Sequence, residues 1–116
     1  LALSKNKIIN VCLKSLENSK ALDVLSLDIK GISSFADKII IATANSNRHA
    51  KSISNKLIEE VKENNFEILG SEGTADSGWI LVDCGSVVIN LMRSETREFY
   101  DLEGLWGENT LLSNNT

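Results

Sequence analysis

Proline is absent from this sequence, histidine occurs once, cysteine twice, and only six residues are Phe, Tyr or Trp. Without proline, glycine is the main punctuation along the chain. A structural zinc site takes four ligands, mostly Cys and His. His49, Cys12 and Cys84 cannot supply four, so a zinc module within one chain is excluded. Two cysteines in a domain of ordinary size read as buried apolar side chains in a reducing cytosol rather than as a disulfide. No apolar run approaches the ~18–20 residues needed to cross a bilayer. No basic segment leads into an apolar one in the manner of a secretion signal. The expected setting is therefore cytoplasmic, away from membranes. Basic runs are also missing, and the net charge is −4. Non-specific binding to nucleic acid is driven by Lys and Arg releasing counterions from phosphates. Direct binding to DNA or RNA is thus disfavoured as the main activity, whereas a basic protein partner suits the charge.

No repeat, linker or low-complexity stretch divides the chain. Its 116 residues, 42% apolar, suit one globular domain over 1–116, with the polar tail 108–116 expected to be flexible. A domain of this size buries roughly 65% of the surface that its unfolded chain exposes. Residues 4–18 carry Ile8, Cys12 and Leu16 at helical spacing, with Ser4 as the expected N-cap. Residues 22–29 alternate, placing Leu25, Leu27 and Ile29 on one strand face. Residues 38–44 form a continuous β-branched run, the pattern of a central strand buried on both faces. A helix over about 46–64 follows, with Ala50, Ile53, Leu57 and Val61 as its stripe. Phe66 to Leu69 read as a third strand and residues 70–78 as a loop rich in small residues. Trp79–Cys84 and Val87–Met92 read as a hairpin across Gly85-Ser86. Ser94 is the expected cap of a last helix that buries Phe99, Leu102 and Trp106. The fold class is α/β in the broad, α+β sense. It is a mixed five-stranded sheet flanked by helices in the order α-β-β-α-β-β-β-α.

Catalytic groups are scarce. His49 has no Cys or Ser nucleophile near it in sequence, and the glycines at 70, 73 and 78 make neither GxGxxG nor a P-loop. A metal-dependent nucleotidyltransferase needs two or more clustered carboxylates. Gly70-Ser71 leads to a strand carrying only Asp83, and Asp101 and Glu103 are spaced so that they do not face each other on a helix. No cofactor, metal or catalytic residue is implied, and the chain is not expected to be an enzyme. A residual nucleotide-binding or transferase activity is the alternative. The aromatics cluster late, at Trp79, Phe99, Tyr100 and Trp106. Large aromatics anchor interfaces as well as cores. Phe99 is placed in the core, while Trp79 and Tyr100 suit either setting.

Three segments carry a resemblance. SETREFYDLEGLWGE at 94–108 resembles the C-terminal signature of the ribosomal silencing factor, or Iojap-like, family. LDIKGISSFADKIIIATANSNRH at 27–49 is similar to its central block, and EGTADSGWILVDCGSVVINLM at 72–92 to its loop and hairpin. Ser94 stands where many relatives have proline. The resemblance implies a fold like a reduced nucleotidyltransferase without its carboxylates. It also implies binding to the large ribosomal subunit at large-subunit ribosomal protein fourteen, on the intersubunit face, so that the small subunit is obstructed. A homodimer is a further implied partner. By position, Trp79 and Tyr100 match docking residues. Asp83, Arg97, Glu98 and Asp101 lie in matching motifs as expected polar contacts, and Asp37 and Gly31 match as loop residues.

Overall fold

Residues 38–44 and 87–93 are apolar on both of their alternating faces, so neither strand can lie at the edge of a sheet. In the computed structural model, which describes residues 2–31, 34 and 36–105, they are the central pair. The elements are α1 (Ala2–Asn18), β1 (Leu22–Asp28), β2 (Lys38–Ala44), α2 (Asn47–Glu63), β3 (Gly70–Thr74), β4 (Trp79–Asp83), β5 (Val87–Arg93) and α3 (Ser94–Tyr100). The sheet order is β1-β2-β5-β4-β3. β2 and β5 pair in parallel, and every other neighbouring pair is antiparallel. The expected mixed five-stranded sheet and element order are what the chain forms.

Strand alternation makes two cores. Ile40, Ala42, Ala44, Val82, Val87, Ile89 and Leu91 face one way, under Ile8, Cys12 and Leu16 of α1 and Ile53, Leu57 and Val61 of α2. Ile39, Ile41, Val88 and Met92 face the other way, against Leu27, Ile29 and Ala36, with Trp79, Leu81 and Leu102 at the margin. Both long helices therefore lie on one side. The Cys12 thiol, donating to the Cys84 sulfur and shielded from water, is pushed far above the ordinary thiol range. Both cysteines are buried and unpaired, as expected.

His49 ties the helical layer together. Its Nδ1 accepts from the Asn45 N–H at 3.0 Å, which leaves Nε2 to donate to the Ser19 carbonyl at 2.9 Å. The end of α1 is thereby pinned to the start of α2. Of Asn45 and Ser46, the two residues able by type to cap α2, it is Ser46 whose hydroxyl accepts from the His49 N–H at 3.0 Å.

Several expectations need correcting. Phe66 to Leu69 do not form a strand. Phe66 and Ile68 pack on the helical-side core, but the strand is the next segment, Gly70–Thr74, placed in the expected loop. It is an exposed edge strand that contributes backbone to β4, so it needs no apolar alternation. Ser4 lies inside α1, which is already helical at Ala2, and so is not its cap. Ser94 is the first residue of α3. The cap position is Arg93, without a side-chain cap, and the Ser94 hydroxyl donates to Glu95 at 2.8 Å. That bond and nearby Arg93 hold the Glu95 carboxyl below its ordinary range. Trp106 and the tail 108–116 lie outside the described residues.

Two substitutions test this layering. Leu57→Ala, at a fully buried position, is expected to destabilise by about 2–5 kcal/mol. Ser46→Ala is expected to lose only about 1 kcal/mol, through the lost cap. Urea melts of the two variants check the ranking.

Candidate functional site

The sheet face away from α1 and α2 is closed by α3 and the turn behind it. β5 runs directly into α3 at Arg93-Ser94, so this seven-residue helix starts at the sheet's rim. It ends at Asp101, whose backbone is left-handed (φ 48°), a conformation that Asp tolerates better than most residues. The break explains the largest miss. A helix continuous through 106 would place Phe99 and Leu102 on one stripe. With the helix stopped at Asp101, Leu102 turns in to the core while Phe99 is 80% exposed. Phe99 is therefore not a core residue, and loss of its ring is not expected to unfold the domain.

Three aromatics form a ladder across this rim. The Trp79 ring lies 4.9 Å from that of Tyr100, inclined by 51°, and Tyr100 meets Phe99 edge-on at 5.0 Å. Such tilted and edge-on geometries suit the ring quadrupoles. Trp79 is half-buried, and its indole N–H donates to the Oδ1 of buried Asn90 at 2.9 Å, which fixes the ring's direction. Beside the ladder runs an open groove of about 390 Å³ lined by Glu72, Gly73, Ser77, Trp79, Leu81, Thr96 and Tyr100. Two glycines permit it. Gly73 has φ +85°, and a Cβ there would strike the Trp79 carbonyl across the β3–β4 ladder. Gly78 has φ +79°, and a Cβ there would meet the Thr96 hydroxyl at 2.5 Å.

Arg97 faces inward. Its Nη1 donates to the Asp23 carbonyl at 2.7 Å and to the Thr43 hydroxyl at 2.9 Å, and its Nε donates to Glu103 at 2.9 Å. The β1 register is irregular between Leu22 and Leu25, which turns the Asp23 carbonyl out of the ladder toward Arg97. One guanidinium thus joins β1, β2, α3 and the helical segment at 102–105. Glu98 and Asp101 are exposed, and with Asp23, Thr43 and Glu103 they border a second groove on the far side of α3. Asp101 also accepts from the Gly104 N–H at 3.1 Å, bracing its own turn.

Of the sequence-predicted site residues, Trp79 and Tyr100 are therefore in contact, Arg97 and Glu98 lie on α3, and Asp101 ends it. Asp83 stands apart, at the other end of β4, about 13 Å away at ~3.3 Å per residue. Its carboxylate accepts from the Gly85 N–H at 2.9 Å and shapes the β4–β5 turn. Sequence reading missed Phe99 as an exposed ring, Asn90 as the support of Trp79, and Glu72 on β3. A usable signal for Asn90 was a lone amide in the apolar run VVINLM. Among the described residues no cluster of three or more His, Cys, Asp or Glu is arranged to hold a metal ion. No helix there is long and apolar enough to cross a membrane.

The chain is similar to known proteins over most of its length. The family model described as ribosomal silencing factor during starvation matches residues 2–115. The chain is 38% identical over 101 residues to the ribosomal silencing factor RsfS of Chromobacterium violaceum, covering 87% of this chain and 83% of that one. A crystal structure of a C. violaceum protein superposes with a TM-score of 0.85 at 37% identity, over 88% of this chain and 85% of that one. A mouse protein named mitochondrial assembly of ribosomal large subunit protein 1 is 31% identical over 101 residues, 84% of this chain and 44% of that one.

Arg97→Gln tests the clamp beneath the ladder. Removing its charged hydrogen bonds is expected to lower stability by about 1.5–3 kcal/mol in urea melts. It should also weaken the Trp79–Tyr100 ring contact, seen as a loss of ring-current shift in the Tyr100 NMR signals. Exposed Glu98, changed to Gln, is expected to alter neither.

Proposed function

The chain belongs to the ribosomal silencing factor family, and we propose that it represses translation by binding the large ribosomal subunit. In this reading it docks on large-subunit ribosomal protein fourteen at the intersubunit face and obstructs joining of the small subunit. It works by occupying a surface, without catalysis or cofactor, in the cytoplasm or its equivalent.

The observation that carries the reading is the aromatic ladder. Phe99 and Tyr100 are 80% and 53% exposed on a seven-residue helix, beside a half-buried Trp79. Contiguous exposed aromatics are unfavourable in water unless a partner covers them. Trp and Tyr are also the residues most often found to dominate binding energy. Trp79 and Tyr100 are the anchors, joined by Phe99. Glu98 and Asp101 supply an acidic rim for a basic ribosomal protein, where charge complementarity chiefly sets orientation and on-rate. Arg97 acts from within, by holding α3 in place. Asp83, from its distant turn, serves the docking surface at most at its margin.

The first test is sedimentation with purified subunits. The protein is expected to pellet with large subunits and not with small ones, and to lower their joining in a dose-dependent way. Equal pelleting with both would contradict the proposal. Trp79→Ala and Tyr100→Ala are each expected to weaken large-subunit binding by about 2 kcal/mol, roughly thirtyfold. Phe99→Ala should keep a near-native melt while also binding less. Variants that stay folded and bind normally would move the interface elsewhere.

A further inference from the structure

The net charge of −4 conceals an uneven distribution of charge between the two long helices and the rest of the sequence. α1 and α2 together hold seven of the twelve basic residues and four of the sixteen acidic ones, a net +3. The rest of the chain holds five basic and twelve acidic residues, a net −7. The first half of α2 is the most one-sided part. Residues 47–56 contain Arg48, Lys51 and Lys56 and no carboxylate. All three side chains are exposed, and with Ser52, Asn55 and Glu59 they line a shallow depression along the helix.

None of these three cations has a role in the fold. The α2 stripe that packs on the sheet is Ala50, Ile53, Leu57 and Val61, on the opposite side of the helix. Lys14 of α1 and Lys20 just beyond it are also exposed, with Glu17 exposed between them. The His49–Ser19 bond keeps the residue next to Lys20 beside the start of α2. At that same end, the Arg93 guanidinium donates to the Asn47 side chain at 3.0 Å. The basic stripe therefore begins at the end of α2 that Arg93 joins to the junction of β5 and α3.

We propose that this stripe is a second contact surface, for the phosphate backbone of RNA. Arg48, Lys51 and Lys56, on the exposed side of one helix with Ser52 and Asn55 and with Glu59 as the one carboxylate lining the same depression, suit contacts to phosphates. The contact is weak by itself, because the whole chain is acidic. It serves to orient a protein whose other side holds a protein partner. It goes beyond the docking reading and stands without it.

The test uses the full chain and a short RNA duplex, read by fluorescence anisotropy as salt is raised from about 50 to about 200 mM. The wild type is expected to bind measurably at the lower salt. The triple variant Arg48→Gln, Lys51→Gln, Lys56→Gln should bind at least tenfold more weakly, with the slope of log K against log salt reduced by about 2–3. Its urea melt should match wild type, since the three side chains are exposed. Trp79→Ala should bind the duplex as wild type does, which separates this surface from the aromatic one. Absence of duplex binding by the wild type, or unchanged binding by a folded triple variant, would overturn the proposal. So would equal affinity for poly-glutamate, which would assign the stripe to an acidic protein.

Discussion

A sheet whose two central strands are apolar on both faces must be covered twice, and the described residues include two long helices with which to do it. Both are spent on one face. The fold offers a structural reason. β2 and β5 are parallel neighbours, β3 runs parallel to them at the far edge, and the connection from β2 to β3 is α2. α1 then packs beside α2, pinned by His49. What remains for the other face is the short α3, Leu102 and the residues after β1. Among the described residues, that cover leaves Trp79 half-buried and Tyr100 and Phe99 exposed.

The partial cover is nevertheless held firmly. Arg97 reaches two strands and the C-terminal turn at once, and Asn90, buried in the central strand, fixes the indole of Trp79. Rings aligned before a partner arrives lose less conformational freedom on binding than mobile ones would. The two long helices carry a net positive charge and the rest of the chain a net negative one. In the proposed readings, a molecule polarised in this way would meet a mixed surface of basic protein and RNA with a preferred orientation.

Most of the fold was legible in the sequence because most of it is specified by burial. β2 matches the expected segment residue for residue, α2 lies within one residue of its expected bounds at each end, and the stripe of α2 is the one that the spacing marks out. The failures occur where backbone, not burial, decides. β3 is Gly-Ser-Glu-Gly-Thr, held by a ladder to β4 on one side only, so no side-chain pattern announces it. Phe99 was placed inside because helical spacing assumes an uninterrupted helix, and the left-handed Asp101 interrupts it. The family motifs single out Trp79 and Tyr100, whose rings the fold brings together. Their contact, the support from Asn90 and the inward turn of Arg97 depend on which strands adjoin, and periodicity carries no such information.

The central claim is that the aromatic ladder is where the large subunit is met. The most direct measurement places a photoreactive benzophenone side chain at position 99, in the ring position with the greatest exposure, and irradiates the protein bound to purified large subunits. The account predicts one dominant crosslink, to large-subunit ribosomal protein fourteen, that disappears when Trp79→Ala is present in the same chain. A dominant crosslink to a different ribosomal protein, or none while the protein remains bound, would contradict it.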